Sequence, residues 1–287
     1  MKKIGFILIL SAAAAAAVPF ISAQSIFETV VAGDVEGLRL LAEGGADVNS
    51  RDSDGNTPLM AAALRASGDM TGILLAAGAD VSARNIEGRT ALHMAARSGS
   101  ADLIRRLASA GAVINPEDKY GITPAMMAAQ SNIDPDVSKI FIAAGAYELS
   151  GIGGLLSQSI KSAVYNRNAD VLGLYLNLVP DIDSFDILGQ TLLMEAARYN
   201  PNEEVTALII DAGADLNLRD QTGKTALSYA AEYNHNPAVI ELLLEAGADA
   251  AICDCDGVSP LEYAETNEHI NRSPAFWMLN DLSYKAF

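Results

Sequence analysis

Apolar positions along the chain recur in pairs of short clusters, and a polar turn separates each pair from the next. The first cluster of a pair follows a Thr or Ser and is rich in Ala, as in Thr57–Ala63. Thr and Ser cap helix N-termini, and Pro at the first helical position, as at Pro58, loses no needed hydrogen bond. The second cluster carries closely spaced Leu residues and ends at a Gly such as Gly78, where a left-handed conformation stops a helix. Each pair of clusters therefore predicts a helix, a loop and a second helix.

The pair of clusters is an internal repeat, and its copies are counted from the capping residue. The motif at Thr57 returns at Thr90, Thr123, Thr191, Thr225 and Ser259, so that successive starting positions differ by 33, 33, 68, 34 and 34. The step of 68 is twice 34 and places a degenerate copy at Ser157, because Tyr165-Asn166 matches Tyr199-Asn200. A step back from Thr57 gives a first copy at Gln24. We predict eight copies spanning residues 24–287, beginning near 24, 57, 90, 123, 157, 191, 225 and 259, the last a C-terminal cap.

A turn of the form Asp-x-x-Gly-x-Thr lies between copies, as in Asp52–Thr57 and Asp220–Thr225. Asp side chains cap turns and Gly accepts positive φ, so this spacing predicts a short β-hairpin turn at each junction. The predicted fold is therefore an all-α solenoid of helix–loop–helix units joined by hairpin turns.

The repeat resembles the ankyrin repeat. The resemblance rests on Thr-Pro-Leu-x-x-Ala-Ala, on Gly-Ala-Asp after the second helix, as in Gly78-Ala79-Asp80, and on the period of 33 or 34. The His that usually follows Leu in this family survives only as His93, and Met60, Met126 and Met194 stand at three equivalent positions. We expect the hydrogen bonds that this His makes between repeats to be mostly missing, with packing by Met in their place.

The period lengthens by one residue after the third copy, and the extra residue falls inside the helix–loop–helix. Copies four to seven share a widened, Asn-rich loop between their helices, as in Asn200-Pro201-Asn202. The segment Gly151–Gly154 replaces the regular turn before copy five. It is either a flexible joint between two halves of the solenoid or the decay of one repeat.

Residues 1–23 have the layout of a secretory signal peptide. Lys2 and Lys3 precede an apolar run from Ile4 to Val18, Pro19 breaks the helix, and Ala23 is a small residue at the expected cleavage point. An uncleaved membrane anchor is the alternative, although the run is short for a membrane span. The layout is typical of bacteria and predicts an exported chain, periplasmic or extracellular, with no stable membrane insertion after cleavage.

The chain is acidic, with 36 Asp and Glu against 19 Lys and Arg and a net charge of −17. Removal of the two leader lysines makes the mature charge −19. Such a surface repels phosphate backbones, so nucleic acid is a poor partner, whereas a basic protein would approach faster. The alternative is that the negative charge only keeps a helical rod soluble and monomeric. We expect the chain to be a monomer.

In ankyrin proteins the partner usually lies along the concave face formed by hairpin tips and first helices. The resemblance implies binding positions directly after the turn Asp, directly after the turn Gly, and at the exposed end of the first helix. Several of these positions carry apolar, aromatic or arginine side chains, which are common at interface hot spots. The candidates are Ile86, Arg89, Tyr120, Ile122, Ile187, Leu188, Arg198, Tyr199, Lys224 and Tyr233.

Catalytic and metal chemistry have little support. His93, His235 and His269 are scattered, no nucleophile or phosphate-binding motif appears, and the Asp residues follow the turn period. We therefore expect no enzyme activity, no cofactor and no metal. Cys253 and Cys255 are the only cysteines. A disulfide between residues two apart in sequence would be strained and redox-active, so a thiol redox role remains an alternative.

The main hypothesis is a non-catalytic protein-binding scaffold outside the bacterial cytoplasm. An inhibitor, an immunity protein or an adaptor for an envelope enzyme would each use this architecture. A thiol redox protein and a secreted effector that targets host proteins are the alternatives.

Overall fold

The computed structural model describes residues 25–131, 134–146 and 155–285. Within these ranges the chain forms sixteen α-helices in eight pairs and no β-strand, so the predicted all-α repeat fold is confirmed. The hairpin turns form the expected main-chain hydrogen bonds although they contain no β-strand. In one of them the N–H of Asp52 donates to the carbonyl of Asn56 at 3.1 Å. The predicted signal peptide and the Gly151–Gly154 segment lie outside the described residues.

The chain divides into two compact units, Met1–Pro124 and Ala125–Phe287, which are called unit 1 and unit 2. In unit 1 the helices are α1 (Ile26–Ala32), α2 (Val35–Glu43), α3 (Pro58–Leu64), α4 (Gly68–Ala76), α5 (Ala91–Ser98) and α6 (Ala101–Ser109). Helix α7 (Pro124–Ser131) begins at the division. Unit 2 continues with α8 (Pro135–Ala143), α9 (Leu155–Val164), α10 (Ala169–Leu176), α11 (Leu192–Tyr199), α12 (Glu203–Asp211), α13 (Ala226–Tyr233), α14 (Pro237–Glu245), α15 (Pro260–Thr266) and α16 (Pro274–Lys285).

Within each unit, first helices pack on first helices and second helices pack on second helices. In unit 1, α3 contacts α1 and α5, while α4 contacts α2 and α6. In unit 2, α13 contacts α11 and α15, while α14 contacts α12 and α16. The Ala pairs of the motif, such as Ala62-Ala63 and Ala196-Ala197, are completely buried at these contacts, because only small side chains let neighbouring helices approach so closely.

His93 links two successive repeats. Its Nδ1 accepts the N–H of Thr90 at 3.1 Å, and its Nε2 donates to the carbonyl of Ile122 at 3.1 Å. At the equivalent positions the sulfurs of Met60 and Met194 accept the N–H of Thr57 and of Thr191. A thioether has no hydrogen to donate, so Met reproduces the contact within the repeat but not the bond to the next one.

A ladder of buried asparagines supplies bonds between repeats in unit 2. The Asn200 amide donates to the carbonyl of Asn166 at 2.8 Å, and the Asn234 amide donates to the carbonyls of Ala197 and Asn200 at 2.7 and 3.1 Å. Asn267 repeats the arrangement one copy later. In the loops that the structure describes, the first Asn therefore has a structural role, since Asn166, Asn200 and Asn234 each tie their repeat to the one before it.

Candidate functional site

Neighbouring hairpin tips are joined by main-chain hydrogen bonds within each unit. In unit 1 the N–H of Ile86 donates to the carbonyl of Asp54 at 3.0 Å, and that of Lys119 donates to Glu87 at 2.8 Å. In unit 2 the N–H of Cys255 donates to the carbonyl of Thr222 at 2.9 Å. The tips of each unit therefore form a row with a fixed backbone.

The side chains on these tips project into solvent. Ile86 and Tyr120 are each 64% exposed in unit 1, and Ile187 and Leu188 are 87% and 55% exposed in unit 2. The expectation that these four candidates are exposed is confirmed. Because the backbone that carries these apolar side chains is already fixed, little backbone freedom is lost when a partner covers them.

Ile122 corrects the sequence-based expectation of an exposed side chain, because the residue is half-buried. Its N–H donates to the Asp118 carboxylate at 3.0 Å, and its carbonyl accepts from His93. The residue is therefore fixed within the junction between two repeats. Arg89 is also half-buried and is engaged in ion pairs with Glu87 at 2.6 Å and with Asp118 at 3.0 Å.

Unit 2 carries a row of tyrosines at the ends of its first helices. Tyr165, Tyr199 and Tyr233, called the tyrosine row, stand at the same position of three successive copies and are 41%, 47% and 41% exposed. The Tyr165 and Tyr199 rings are 5.5 Å apart between centroids, and the Tyr165 hydroxyl donates to Glu195 at 2.8 Å. Burial, followed by this bond, raises the pKa of the Tyr165 hydroxyl. Tyr165 was missed as a candidate, although its eighth place after the cap, shared with Tyr199 and Tyr233, would have identified it.

Arg198 connects the tyrosines of successive repeats. Its guanidinium lies 4.8 Å from the Tyr199 centroid, 5.2 Å from that of Tyr229 and 4.4 Å from that of Tyr233. Its Nε is shielded from solvent and has no hydrogen-bond partner among the described residues. The aromatic faces therefore stabilise the arginine charge in place of a carboxylate, and they hold the guanidinium within the row.

Lys224 lies beside the row and is largely covered. Its ammonium bonds the Glu232 carboxylate and lies 4.4 Å from the Tyr263 centroid. Burial acts to lower the pKa of Lys224, but the hydrogen bonds to Glu232 and Tyr263 outweigh burial and raise it. Burial raises the pKa of Tyr229 to about 12, assisted by its bond to Asp220. These groups keep their ordinary charges at neutral pH, so they are not poised to transfer a proton.

Unit 1 has a groove of about 570 Å³ between its hairpin tips and first helices, called the unit-1 groove. Val31 and Leu64, which are 52% and 47% exposed, lie along it with Ile86. Arg65, Arg97 and Lys119 also line the groove. Of the side chains that line the groove, Ile86 and Arg89 were among the candidates chosen from the sequence.

The two units differ in charge. Residues 25–124 contain nine basic and thirteen acidic residues, a net charge of −4, whereas residues 125–287 contain eight basic and twenty-three acidic residues, a net charge of −15. Most of the acidity that the composition reveals therefore belongs to unit 2.

Cys253 and Cys255 are both exposed and are not bonded to each other. No group of three or more His, Cys, Asp or Glu side chains in the described part of the chain is arranged to hold a metal ion. Of the described helices, none has the length and apolar character needed to cross a membrane.

Comparison with known proteins agrees with this architecture. Ankyrin-repeat family models match residues 26–71, 67–149, 160–254 and 193–272. The crystal structure of the human ASB11 ankyrin repeat domain superimposes with a TM-score of 0.66 at 27% identity, covering 78% of this chain and 97% of that domain. No curated protein matches the sequence. Because the family models cover most of its length, the chain belongs to the ankyrin-repeat family.

Proposed function

We propose that this chain is an exported, non-catalytic scaffold that holds a partner protein against its hairpin tips and first helices. The observation that carries the proposal is the tyrosine row, in which the exposed rings of Tyr199 and Tyr233, from two successive repeats of unit 2, both pack against the Arg198 guanidinium. Tyr and Arg dominate interface hot spots, since each combines apolar area with hydrogen-bonding groups. Rigid tips and preorganised rings lower the entropy lost on association.

The charge of unit 2 favours a basic surface on the partner. A net charge of −15 on this unit attracts cations over a distance set by ionic strength, which raises the association rate more than the final affinity. The signal-peptide layout of residues 1–23 supports export to the periplasm or beyond the cell. An inhibitor, immunity or adaptor role outside the cytoplasm is compatible with this combination.

The experiment that tests the proposal is affinity capture with the tagged mature chain. The variant Tyr199→Ala/Tyr233→Ala removes two rings of the tyrosine row. The control Leu40→Ala/Trp277→Ala removes two exposed side chains from second helices. We expect wild type and control to recover the same partner and the tyrosine variant to bind it about tenfold more weakly or less. Equal recovery by both variants would show that the first helices are not the binding face.

A further inference from the structure

The unit-1 groove joins an apolar floor to cationic side chains. Val31, Leu64 and Arg97 occupy the same position of the first helix in three successive repeats, so the floor changes from aliphatic to basic along the groove. Arg65 follows Leu64 at the end of its helix and also lines the groove. Both arginines are exposed.

Apart from Arg89, which is ion-paired, the cations that line the groove are free, whereas most of its carboxylates are not. Among the described residues, the side chains of Arg65 and Arg97 have no hydrogen bond or ion pair. The Asp52 carboxylate accepts the N–H groups of Asp54 and Asn56 at 2.9 and 2.7 Å, so it is occupied by the turn.

When the other charged side chains that line the groove are included, free cations still outnumber free carboxylates. Glu87 is paired with Arg89 at 2.6 Å. Asp54 is exposed at a tip, and Lys119, with its ammonium 5.0 Å from the Tyr120 centroid, is exposed at another. Among the described residues that line the groove, two free arginines and a lysine therefore outnumber the one free carboxylate. The net charge of the whole chain, in contrast, is strongly negative.

We propose that the unit-1 groove binds an acidic, amphipathic segment of the partner protein, with its apolar side chains on Val31 and Leu64 and its carboxylates on Arg65 and Arg97. This proposal rests on the proposed scaffold function and names the chemistry of one contact. An arginine guanidinium pairs with a carboxylate through two parallel hydrogen bonds, and such pairs strengthen where neighbouring apolar surface excludes water. A free anion would leave the apolar floor uncovered, and a basic peptide would meet unpaired arginines.

The test is selection from a displayed library of random peptides of about twelve residues, the length of three helical turns, on the immobilised full chain. Selected peptides are synthesised and their affinities measured for wild type, for Arg65→Gln/Arg97→Gln and for Arg39→Gln/Arg105→Gln. The last variant removes the same charge from exposed arginines on second helices and controls for nonspecific attraction. Thermal melting verifies that the three proteins are equally folded.

We expect the selected peptides to combine Asp or Glu with large apolar residues, and to bind the groove variant at least about tenfold more weakly than the control. Peptides without an acidic excess, equal binding to both variants, or no enrichment would each overturn the proposal. Acidic peptides that depend on Tyr199 and Tyr233 instead of the arginines would also overturn it, while leaving the scaffold function standing. Loss of partner capture by the tyrosine variant tests that function separately.

Discussion

The side-chain amide of Asn234 donates a hydrogen bond to the main-chain carbonyl of Ala197, one repeat earlier, at 2.7 Å. The same amide reaches the carbonyl of Asn200 at 3.1 Å, and the Asn234 side chain is almost completely buried. Stability in a repeat protein comes from the interfaces between neighbours, and this contact adds buried hydrogen bonds to the packing and the hairpin-tip bond between Cys255 and Thr222 that already join the two repeats.

Replacement of Asn234 by Ala should lower the free energy of unfolding by about 2–3 kcal/mol, because two buried carbonyls lose their donor and gain no water. Asn177→Ala is the matched control. The Asn177 amide donates to Gly173 within one helix and is exposed, so its loss should cost less than about 0.5 kcal/mol. Urea denaturation followed by circular dichroism measures both. Equal midpoints for the two variants would mean that the asparagine ladder contributes nothing.

Restoring the family's histidine at position 60 should stabilise unit 1. In Met60→His the ring is expected to accept the N–H of Thr57 and to donate to the carbonyl of Arg89, as His93 does with Thr90 and Ile122. One added hydrogen bond between repeats corresponds to about 0.5–1.5 kcal/mol. His93→Met is the reciprocal change and should lower stability. A loss of stability in Met60→His would contradict the equivalence of the two positions.

The stability contributed by His93 should depend on pH. Burial lowers the pKa of His93 below its ordinary value of 6.5, and its Nδ1 must remain unprotonated to accept the N–H of Thr90. The neutral ring is favoured in the folded state, so this contribution is present above pH 6.5 and is lost as the pH falls below it. Between about pH 7.5 and 5.5, wild type should lose more unfolding free energy than His93→Met. Parallel pH profiles would exclude this linkage.

The two cysteines provide a test of the alternative redox role. Cys253 and Cys255 are exposed and separate, so both should react with a thiol reagent in the native protein without prior reduction. Two thiols per chain should be labelled in wild type, and one in Cys255→Ser. A native protein that gains its thiols only after reduction would indicate a Cys253–Cys255 disulfide and would favour redox chemistry.

Periodicity made the fold predictable, because each copy restates the same cap, Ala pair and terminal Gly. Contacts that cross between copies were harder to anticipate. The amide of Asn234 reaches Ala197 only through the conformation of its loop, and a sequence pattern does not specify that conformation. Ile122 was expected to be exposed, but its N–H bonds the Asp118 carboxylate within the turn and its carbonyl accepts from His93, a residue 29 positions earlier in the chain. The unit-1 groove was missed for the same reason, since the pairing or freedom of an arginine depends on residues distant in sequence.

The binding role of the first helices is tested most directly by site-specific photo-crosslinking of the full chain in the cells that make it. The photoreactive p-benzoylphenylalanine replaces Tyr199 or Tyr233 in the tyrosine row, or Trp277 on the last second helix as the control. We predict that positions 199 and 233 crosslink one and the same protein and that position 277 does not. Crosslinking of a discrete partner from position 277 alone would contradict the proposed binding face.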